Sequence, residues 1–576
     1  MSGKEWILFI LLVQVIHFLG TWKLYVKAGR KAWEAAIPVY NAIVLMQIIN
    51  RPKWWVILLF IPIINLLMFP VIWVETIRSF GKNSLLDTWL VILTLGFYTY
   101  YVNYALDVKY IEGRSIEPKS GAGEWVSSIV FAIVAASIVH TYFIQPYVIP
   151  TASLEKTLLI GDFLFVSKFH YGARTPMTTI AAPMVHDTLP LLGVKSYLNK
   201  PQLPYYRLPG FKNIKRNEIV VFSWPADTVR QFFIREKGVK KPIDKKSNYV
   251  KRCVGIPGDT LSIMNGYIHI NGKQTVLPDR AKPQYFYTLT AKKTLENTEI
   301  KAVGFDDLVG DVVRIPKTSI LQERDAKNII ENGTNFLKIK TDSIFNYYLN
   351  PKEPRLRPDI LSYLSTKLKA RSVKNMKVFN LTDKEAEGFV GKHGIVSVKK
   401  ILREEKNASI FPQNNAYTGT IDNFGPIYIP EAGKTISLNI GNLPLYKKII
   451  TEYEKNTLST SGNQIMINDE IVTSYTFKQD YYWMMGDNRH RSEDSRYWGY
   501  VPEDHIVGTP IFIWMSIGNF DQGIGNWGIR WDRVFTTVNG TGEPTSYFKY
   551  FLMLLAGYFV FDFFRKKQKA KKKSDS

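Results

Sequence analysis

The stretch PTASLEKTLLIGDFLFVSKF, residues 150–169, marks the change from a membrane segment to a β domain. It follows an apolar segment, residues 125–144, whose length suits a bilayer core of about 30 Å. Its second half is short and rich in aromatic and β-branched residues, which predicts a strand. Between the two lie Ser153 and a Gly-Asp turn at Gly161. The sequence therefore places a reactive hydroxyl beside the end of a membrane helix.

Apolar segments of membrane-spanning length occur at both ends of the chain. We predict five spans, at about 6–22, 54–74, 85–105, 124–146 and 546–564. The loop after the first span is far more basic than the loop after the second, and the run RKKQKAKKK follows the last span. The positive-inside rule then places the amino terminus outside and the basic tail in the cytoplasm. About 400 residues after Ser153 are expected on the outer face.

The predicted fold class is a membrane protein with transmembrane helices and a mainly β extracytoplasmic domain that carries a large mixed α/β insertion. Short β-type segments support this, among them EIVVFSW (218–224), YVKRCVGI (249–256) and IFIWMSI (511–517). Hairpins are predicted at 268–273 and 464–472, and a helix in LPLYKKIITEYEK (443–455). The predicted domains are a membrane module (1–123), the fourth span (124–146), the outer domain (147–545) with insertions at 174–213 and 274–463, the last span (546–564) and a tail (565–576).

Charge and cysteine content narrow the class of protein. The net charge of +24 suits either nucleic acid or an anionic membrane surface. Because the most basic run directly follows an apolar span, we expect a lipid bilayer as partner and no nucleic acid. The single cysteine, Cys253, excludes an intrachain disulfide and any CxxC metal site.

A serine nucleophile needs a base, and two residues compete for that role. His490, in GDNRHRSEDS, has acidic neighbours, although an exposed loop histidine is the more ordinary interpretation. Lys251 lies in NYVKRCVGIPGDT (248–260), where strand alternation places Tyr249, Lys251 and Cys253 on one face. A lysine acts as a base only when desolvation lowers its pKa. From this stretch alone, a solvated edge lysine remains the alternative.

Four ordered segments together resemble the bacterial type I signal peptidases. They are IPTASLEKTLLIGD (149–162), EIVVFSWP (218–225), YVKRCVGIPGD (249–259) and GDNRHRSEDSRYWGYVP (486–502). The resemblance covers the fourth span and the β core, and it leaves out both insertions and the first three spans. GRKAWEAAIPVYN (29–41), followed by WWVILLF (54–60), also looks like a small membrane module found before such peptidases.

The resemblance implies a membrane-bound serine endopeptidase on the outer face of the bacterial cytoplasmic membrane, anchored by several spans. It implies no metal and no organic cofactor. Its expected substrates are exported preproteins whose signal peptides carry small residues at positions −1 and −3. By family analogy Ser153 is the nucleophile and Lys251 the general base, with the Ser153 amide and Thr151 as the oxyanion hole. The same analogy assigns base orientation and loop support to Ser492, Asp494, Arg496 and Gly486, and substrate contacts to Tyr147, Ile149, Pro150, Tyr249 and Val250.

Two departures from the family pattern leave alternatives open. Leu154 and Lys156 stand where the family usually has methionine and proline. Ser153 and Lys156 thereby match S-x-x-K, the nucleophile motif of penicillin-binding proteins. That mechanism needs a helix, whereas the following residues are typical of a turn and a strand, and its K-T-G partner is absent from the predicted outer region. A second alternative is a relative that binds preproteins without cutting them, against which the presence of Ser153, Lys251 and Ser492 argues.

Overall fold

A helical amino-terminal module, a mainly β domain and a carboxy-terminal helix follow one another along the chain. The computed structural model describes residues 3–118, 120–226, 240–295, 308–317, 337–349, 362, 364–366, 368–392, 394–404 and 408–574. The helices are α1 (Gly3–Lys27), α2 (Tyr40–Ile48), α3 (Trp55–Leu58), α4 (Ile64–Ser79), α5 (Leu85–Leu93), α6 (Tyr98–Tyr104), α7 (Gly121–Ile138), α8 (Asp383–Phe389), α9 (Leu443–Lys448), α10 (Ser495–Trp498) and α11 (Phe548–Ser574).

Within the described residues, all strands follow α7. They are β1 (Ile144–Val148), β2 (Asp162–Ser167), β3 (Ile219–Ser223), β4 (Asn248–Gly255), β5 (Thr260–Met264), β6 (Tyr267–Ile270), β7 (Lys273–Gln274), β8 (Tyr285–Ala291), β9 (Leu308–Pro316), β10 (Leu337–Thr341), β11 (Phe345–Leu349), β12 (Arg371–Leu381), β13 (Ile395–Lys400), β14 (Phe424–Tyr428), β15 (Thr435–Ser437), β16 (Leu458–Ser461), β17 (Gln464–Ile467), β18 (Glu470–Val472), β19 (Ser474–Thr476), β20 (Tyr481–Met485), β21 (Val501–Pro502), β22 (Ile506–Gly518), β23 (Gly528–Ile529) and β24 (Thr536–Thr537). The predicted mainly β domain beside membrane-type helices is therefore confirmed.

Two helices within the described residues are long and apolar enough to cross a bilayer. One runs from Lys4 to Lys27, and the other from Gly121 to Phe143, where α7 continues through a π-helical turn. Both lie where the sequence predicted the first and fourth spans. The carboxy-terminal helix α11 has 27 residues, about 40 Å of length, but its first 18 include Lys549, Asp562 and Arg565. Its crossing of the membrane remains a prediction.

The second and third predicted spans are interrupted helices in the structure, and their crossing of the membrane stays a prediction. Residues 54–74 divide into α3 and the start of α4, and the break contains Pro62, whose missing N–H cannot continue the hydrogen-bond ladder. Residues 85–105 form α5 and α6, which are bent by 118°. The bend lies at Leu95 and Gly96, whose φ angles of 51° and 87° are left-handed and end an α-helix. Hydropathy alone does not report such breaks.

The main sheet is antiparallel and has the order β1-β2-β22-β3-β4-β20-β21, with β23 and β24 paired to β22. All five residues of β3 are buried. Ile219 and Val221 pack into one apolar cluster and Val220 and Phe222 into another, so both faces of the sheet are covered. This is why the segment is continuously apolar instead of alternating.

The local predictions for the β domain are confirmed. The segments around residues 162, 219, 249 and 511 lie in strands β2, β3, β4 and β22. Two hairpins join β6 to β7 and β17 to β18, and their turns place Asn271, Gly272, Asn468 and Asp469 at positive φ. Two consecutive positive φ angles define the predicted type I′ turn. The predicted helix at 443–455 begins as α9 and continues as a π-helical turn over Ile449–Tyr453.

A second sheet belongs to the predicted large insertion. Strands β8 to β13 form six antiparallel strands in the order β10-β11-β9-β12-β8-β13. Residues 410–467 instead contribute to the same apolar core as Trp483 and Tyr500 of the β domain. The strands of the separate sheet therefore lie between Tyr285 and Lys400, a narrower range than the predicted 274–463. The smaller insertion, 174–213, returns on itself through bridges from Arg174 to Arg207 and from Thr188 to Lys195.

Candidate active site

Ser153 lies in the connection between β1 and β2, directly beyond the apolar helix. Residues Ala152–Leu154 form a single 3₁₀ turn. The neighbouring Leu154 is 1% exposed and packs with Ile149 and Leu158 in an apolar cluster under the main sheet. Leu154 thus fills the apolar position next to the serine. Ser153 itself is 8% exposed, which leaves its hydroxyl in a largely desolvated position.

Lys251 lies on β4, and its side chain contacts Ser153. It is 2% exposed, and its Nζ donates a hydrogen bond of 2.6 Å to Ser153 Oγ. Its Nζ is also 5.4 Å from the centre of the Tyr249 ring, as the predicted strand alternation required. Burial lowers the pKa of Lys251 to about 8, although the charges of Asp494 and Glu493 act to raise it. The amine can therefore be neutral close to neutral pH, which a general base requires.

The loop from Gly486 to Arg496 closes over this pair. The predicted Asp494–Arg496 pair is formed, with Arg496 Nη2 2.8 Å and Nε 2.9 Å from the two carboxylate oxygens. Arg496 Nη2 also donates to the Arg489 carbonyl at 2.6 Å, and the Gly486 amide donates to Asp494 Oδ2 at 3.1 Å. Both charged groups are at most 1% exposed, so the loop has a rigid internal brace.

Gly486 is required by close contact. A Cβ at this position would lie 2.2 Å from Ser492 Oγ and 2.5 Å from the carbonyl oxygen of Ser153. Ser492 is thus placed next to the nucleophile's backbone. The predicted hydrogen bond from Ser492 to Lys251 is not formed: Ser492 Oγ is buried and has no hydrogen-bond partner among the described residues. An unpaired buried hydroxyl is costly unless a ligand or water completes its bonding.

The sequence interpretation missed how the backbone of the nucleophile is held. The Asn488 amide donates to the Ser153 carbonyl at 3.0 Å, and its side chain donates to the Ala152 carbonyl at 3.0 Å. The preceding residue, Asp487, forms a buried ion pair with Arg252, in which Arg252 Nε and Nη2 lie 2.8 and 2.6 Å from the two carboxylate oxygens. Arg252 follows Lys251 on β4 and points to the opposite face. Strand β4 therefore positions both Lys251 and the loop that holds Ser153. In the sequence, the only indication of this arrangement was the Lys251-Arg252 dipeptide.

The insertion sheet is bonded to the same loop through Gln284. Its amide donates to the Asp487 carbonyl at 2.8 Å, and its carbonyl accepts from the Arg489 amide at 3.0 Å. Its side chain donates to the Glu155 carbonyl and accepts from Asn380 Nδ2 at 2.8 Å. Gln284, directly before β8, consequently bonds the insertion to the chain just after Ser153 and to the loop that holds Ser153. No sequence pattern that we recognised indicated this contact.

His490 is a buried structural residue and lies outside the Ser153–Lys251 contact. Its Nε2 is 3.0 Å from Asp422 Oδ2, and its Nδ1 accepts from the Phe286 amide at 3.0 Å. The interpretation of an exposed loop histidine was wrong, because the insertion covers this part of the loop. Burial lowers the pKa of His490, against the opposing effect of Asp422. Its partners make it a link between the active-site loop and the insertion.

Lys156 points away from Ser153. It has a φ of 65°, so the chain turns after Ser153 instead of continuing a helix. Its Nζ lies 2.6 Å from Glu385 Oε2 on α8 of the insertion. The Ser-x-x-Lys arrangement of penicillin-binding proteins needs both side chains on one helical face, so this geometry does not reproduce it. Lys156, which stands where the family usually has proline, therefore contacts the insertion.

The predicted substrate-binding residues converge on the same region from two strands. Asn248 Nδ2 donates to the Tyr147 hydroxyl at 3.2 Å, and Tyr147 and Val250 both pack on the apolar cluster beneath Ser153. Ile149 is 2% exposed, whereas Pro150 is exposed. The backbone N–H and C=O of Ile149 are already bonded to Asp162 and Gly161. Thr151 is half-buried, two residues before the serine.

A serine hydroxyl bonded to a buried lysine is the arrangement of serine hydrolases whose general base is a lysine. No group of three or more metal-ligating side chains able to hold a metal occurs within the described residues. The contact between Lys251 and Ser153 suits nucleophilic attack assisted by proton transfer.

Comparisons with known proteins give the family. The family model "Signal peptidase, peptidase S26" matches residues 122–333 and 431–515, just over half of the 576 residues. The chain is 23% identical to signal peptidase I of Buchnera aphidicola subsp. Acyrthosiphon pisum over 471 residues, which are 78% of this chain and 98% of the relative. It is 22% identical to signal peptidase I of Haemophilus influenzae, over 74% and 79% of the two chains. Residues 33–113 match a family of unknown function, DUF5684.

The chain therefore belongs to the signal peptidase family, peptidase S26. It is a membrane-associated serine peptidase whose substrates are preproteins that bear signal peptides. The resemblance inferred from four sequence segments is thereby confirmed.

Proposed function

We propose that Ser153 is the nucleophile and Lys251 the general base with which this peptidase removes signal peptides. The single observation that carries this assignment is the 2.6 Å contact between Lys251 Nζ and Ser153 Oγ. Both side chains are buried, and burial lowers the pKa of Lys251 to about 8. The residues are 98 positions apart in the chain, so the contact is produced by the fold and not by local sequence.

The reaction follows from these positions. Neutral Lys251 accepts the Ser153 proton as Oγ attacks the carbonyl carbon at position −1 of the preprotein. The Ser153 amide and the Thr151 hydroxyl stabilise the oxyanion. The Lys251 ammonium then donates its proton to the leaving amine, and the mature protein departs. A water, deprotonated by the same lysine, hydrolyses the acyl-enzyme and restores the serine.

The loop with Gly486, Ser492, Asp494 and Arg496 supports this base. The carboxylates of Asp494 and Glu493 favour the protonated lysine that forms during attack. The Ser492 hydroxyl, buried beside Ser153 without a protein partner among the described residues, is available to the lysine or to substrate. We assign Ser492 the role of a positioning residue on this ground.

Substrate selection depends on the two chain segments that approach Ser153. Tyr147, Ile149 and Pro150 precede the nucleophile, and Tyr249 and Val250 precede the base. A preprotein cleavage site that lies extended between them has its side chains facing apolar surface. Because Ile149 and Leu154 fill the space beneath with only 2% and 1% exposure, little depth remains for a side chain. Small residues at positions −1 and −3 fit this limited space.

We place the catalytic domain on the outer face of the bacterial cytoplasmic membrane, with the bilayer as a second partner. The broken segments α3–α4 and α5–α6 leave this side assignment unchanged. Arg51, Glu75 and Arg114 meet in one cluster, so the residues after α2, the end of α4 and the segment before α7 lie on one side of the membrane and the number of crossings between α1 and α7 is even. The basic residues that follow α1 and those at the end of α11 then both lie in the cytoplasm.

Cleavage is tested with the detergent-solubilised full chain and a preprotein, by sequencing the new amino terminus. We expect cleavage after a small residue and none with Ser153→Ala. If the unmodified chain binds the preprotein but leaves it intact, the chain is a non-cleaving relative and the mechanism above is wrong.

Orientation has its own test. We expect a tag after Ser576 to be protected from protease added outside the cell, and a tag in the exposed turn after Gly391 to be cut. The reverse pattern would overturn the orientation while leaving the chemistry intact.

A further inference from the structure

Three arginines surround one buried carboxylate in the amino-terminal module. Glu75, on α4, is 7% exposed. Arg51 Nη2 lies 3.4 Å from Glu75 Oε2 and Arg78 Nη1 lies 3.9 Å from Oε1. Arg114 Nη2 donates a short hydrogen bond to Oε2. These arginines come from the loop after α2, from α4 and from the loop before α7, so three segments meet here.

The cluster carries more positive than negative charge. Among the described residues, no second carboxylate lies within the 4.0 Å ion-pair distance of any of the three guanidinium groups. Arg51 Nε and Arg114 Nε are buried and make no hydrogen bond within the described part of the chain. One carboxylate therefore faces three cations, and unpaired charge removed from water is unfavourable. These four side chains together carry a net charge of about +2.

The cluster lies at the level where the apolar helices end. Lys27, the last residue of α1, donates to the Leu106 carbonyl at 3.4 Å. A few residues further on, the Tyr110 hydroxyl donates to the Ile48 carbonyl at 3.0 Å, and the Ile111 amide to the Ser79 carbonyl at 2.9 Å. The ends of α1, α2 and α4 thus meet the segment 106–115.

The second apolar helix reaches the same level. Met68, near the start of α4, packs with Val134, near the end of α7. The two helices are therefore antiparallel, and Glu75 lies towards the start of α7 at Gly121. Trp54 beside the cluster is 58% exposed, and the Trp55 ring lies 5.1 Å from the Arg51 guanidinium. Tryptophan is typical of the headgroup region of a bilayer.

We propose that this cluster binds the phosphate of an anionic phospholipid headgroup. Guanidinium groups bind phosphate oxygens through paired hydrogen bonds, and three of them converge here. The side chain of Arg78 is 35% exposed, which gives the headgroup an approach from the surface. A basic pocket between membrane helices is suited to a lipid phosphate. This assigns a ligand to the module and depends neither on the peptidase chemistry nor on the orientation of the chain.

The test measures lipid binding to the full-length chain in neutral detergent by native mass spectrometry. The probes are phosphatidylglycerol, phosphatidylcholine and inorganic phosphate. We expect one saturable phosphatidylglycerol, bound at least about tenfold more tightly than phosphatidylcholine. Arg78→Gln should weaken it by at least about tenfold, because the Arg78 side chain is the most exposed of the three, and its contacts to Glu75 at 3.9 Å and to Thr88 at 3.4 Å are long.

Lys53→Gln is the matched control. It removes one positive charge from an exposed position two residues after Arg51 without touching Glu75, and it should change the affinity by less than about twofold. Equal binding of the two lipids, or equal effects of the two variants, would overturn the proposal. So would binding of inorganic phosphate without any binding of phosphatidylglycerol. Should Arg78→Gln fail to fold in detergent, Arg78→Lys decides: a several-fold loss supports the site, and unchanged affinity contradicts it.

Discussion

The amino nitrogen of Lys251 lies 2.6 Å from the hydroxyl oxygen of Ser153, although 98 residues separate them in the chain. Lys251 belongs to a central strand of the main sheet, and Ser153 to a turn between two other strands. The pair is buried, so its hydrogen bond is strengthened by the low local dielectric.

Cleavage should increase with pH. Burial lowers the pKa of Lys251 to about 8, and the lysine acts as a base only after losing its proton. At pH 6 about one lysine in a hundred is neutral, so kcat/KM should rise through pH 8 and level off above about pH 9. Lys251→Arg keeps its proton throughout and should lose at least about 10⁴-fold activity. Lys156→Arg is the control and should show the unmodified profile. A rate that falls between pH 6 and pH 9 would contradict a lysine base.

The two lysines near the nucleophile should differ in their importance. Lys251→Ala should abolish cleavage, as should Ser153→Ala. Lys156→Ala should retain activity within a few-fold, because it loses a partly exposed ion pair with Glu385, worth at most about 1 kcal/mol. The measurement is the mature amino terminus formed by each variant. Fluorescent penicillin labelling of Ser153, with Lys156 essential and Lys251 dispensable, would instead indicate a penicillin-binding protein.

Gly486→Ala should inactivate the peptidase. The added Cβ would lie 2.5 Å from the Ser153 carbonyl oxygen, a backbone atom that cannot move without the nucleophile. We expect at least about a hundredfold loss in kcat, since a misplacement of about 1 Å costs that much. Gly388→Ala, on α8 with nothing within 4 Å of its new Cβ, should leave the rate unchanged. Equal rates for the two variants would show that the loop tolerates displacement.

Asp487→Ala should destabilise the β domain strongly. Arg252 would remain buried at 2% exposure without its partner, at a cost of about 3–5 kcal/mol. Glu543→Ala removes a solvent-exposed partner of Lys282 and should change the free energy of unfolding by less than about 0.5 kcal/mol. Denaturant unfolding of both variants provides the comparison. A loss below about 1 kcal/mol for Asp487→Ala would mean that the pair is relaxed or hydrated.

His490→Ala should affect stability without changing the catalytic base. The substitution leaves the Phe286 amide without its acceptor, and it leaves the Asp422 carboxylate with the Arg403 amide but without the imidazole, at a cost of about 1–3 kcal/mol. Residual activity should still rise through pH 8, because Lys251 is untouched. A folded His490→Ala protein as inactive as Lys251→Arg would favour a histidine mechanism.

Local sequence patterns were sufficient for part of this protein. The apolar runs at 125–144 and 6–22 predicted two membrane-type helices, because a span needs only length and apolar composition. Strands β2, β3, β4 and β22 and the Asn-Gly hairpin follow from side-chain type and turn chemistry. The four ordered segments also indicated the family, and within them Ser153, Lys251 and the Asp494–Arg496 pair.

Other features were decided by contacts between distant residues. The sequence could not indicate that Ser492 lacks its expected bond to Lys251, that His490 is covered by the insertion, or that Gln284 joins the insertion to the active-site loop. Nor could hydropathy show the breaks in the second and third predicted spans. Residue type and spacing determine local conformation. The hydrogen-bond partners of buried polar groups are determined only by the packing of the sheets against each other. The same holds for the arginines around Glu75, which lie on three separate segments and form a cluster only in the folded module.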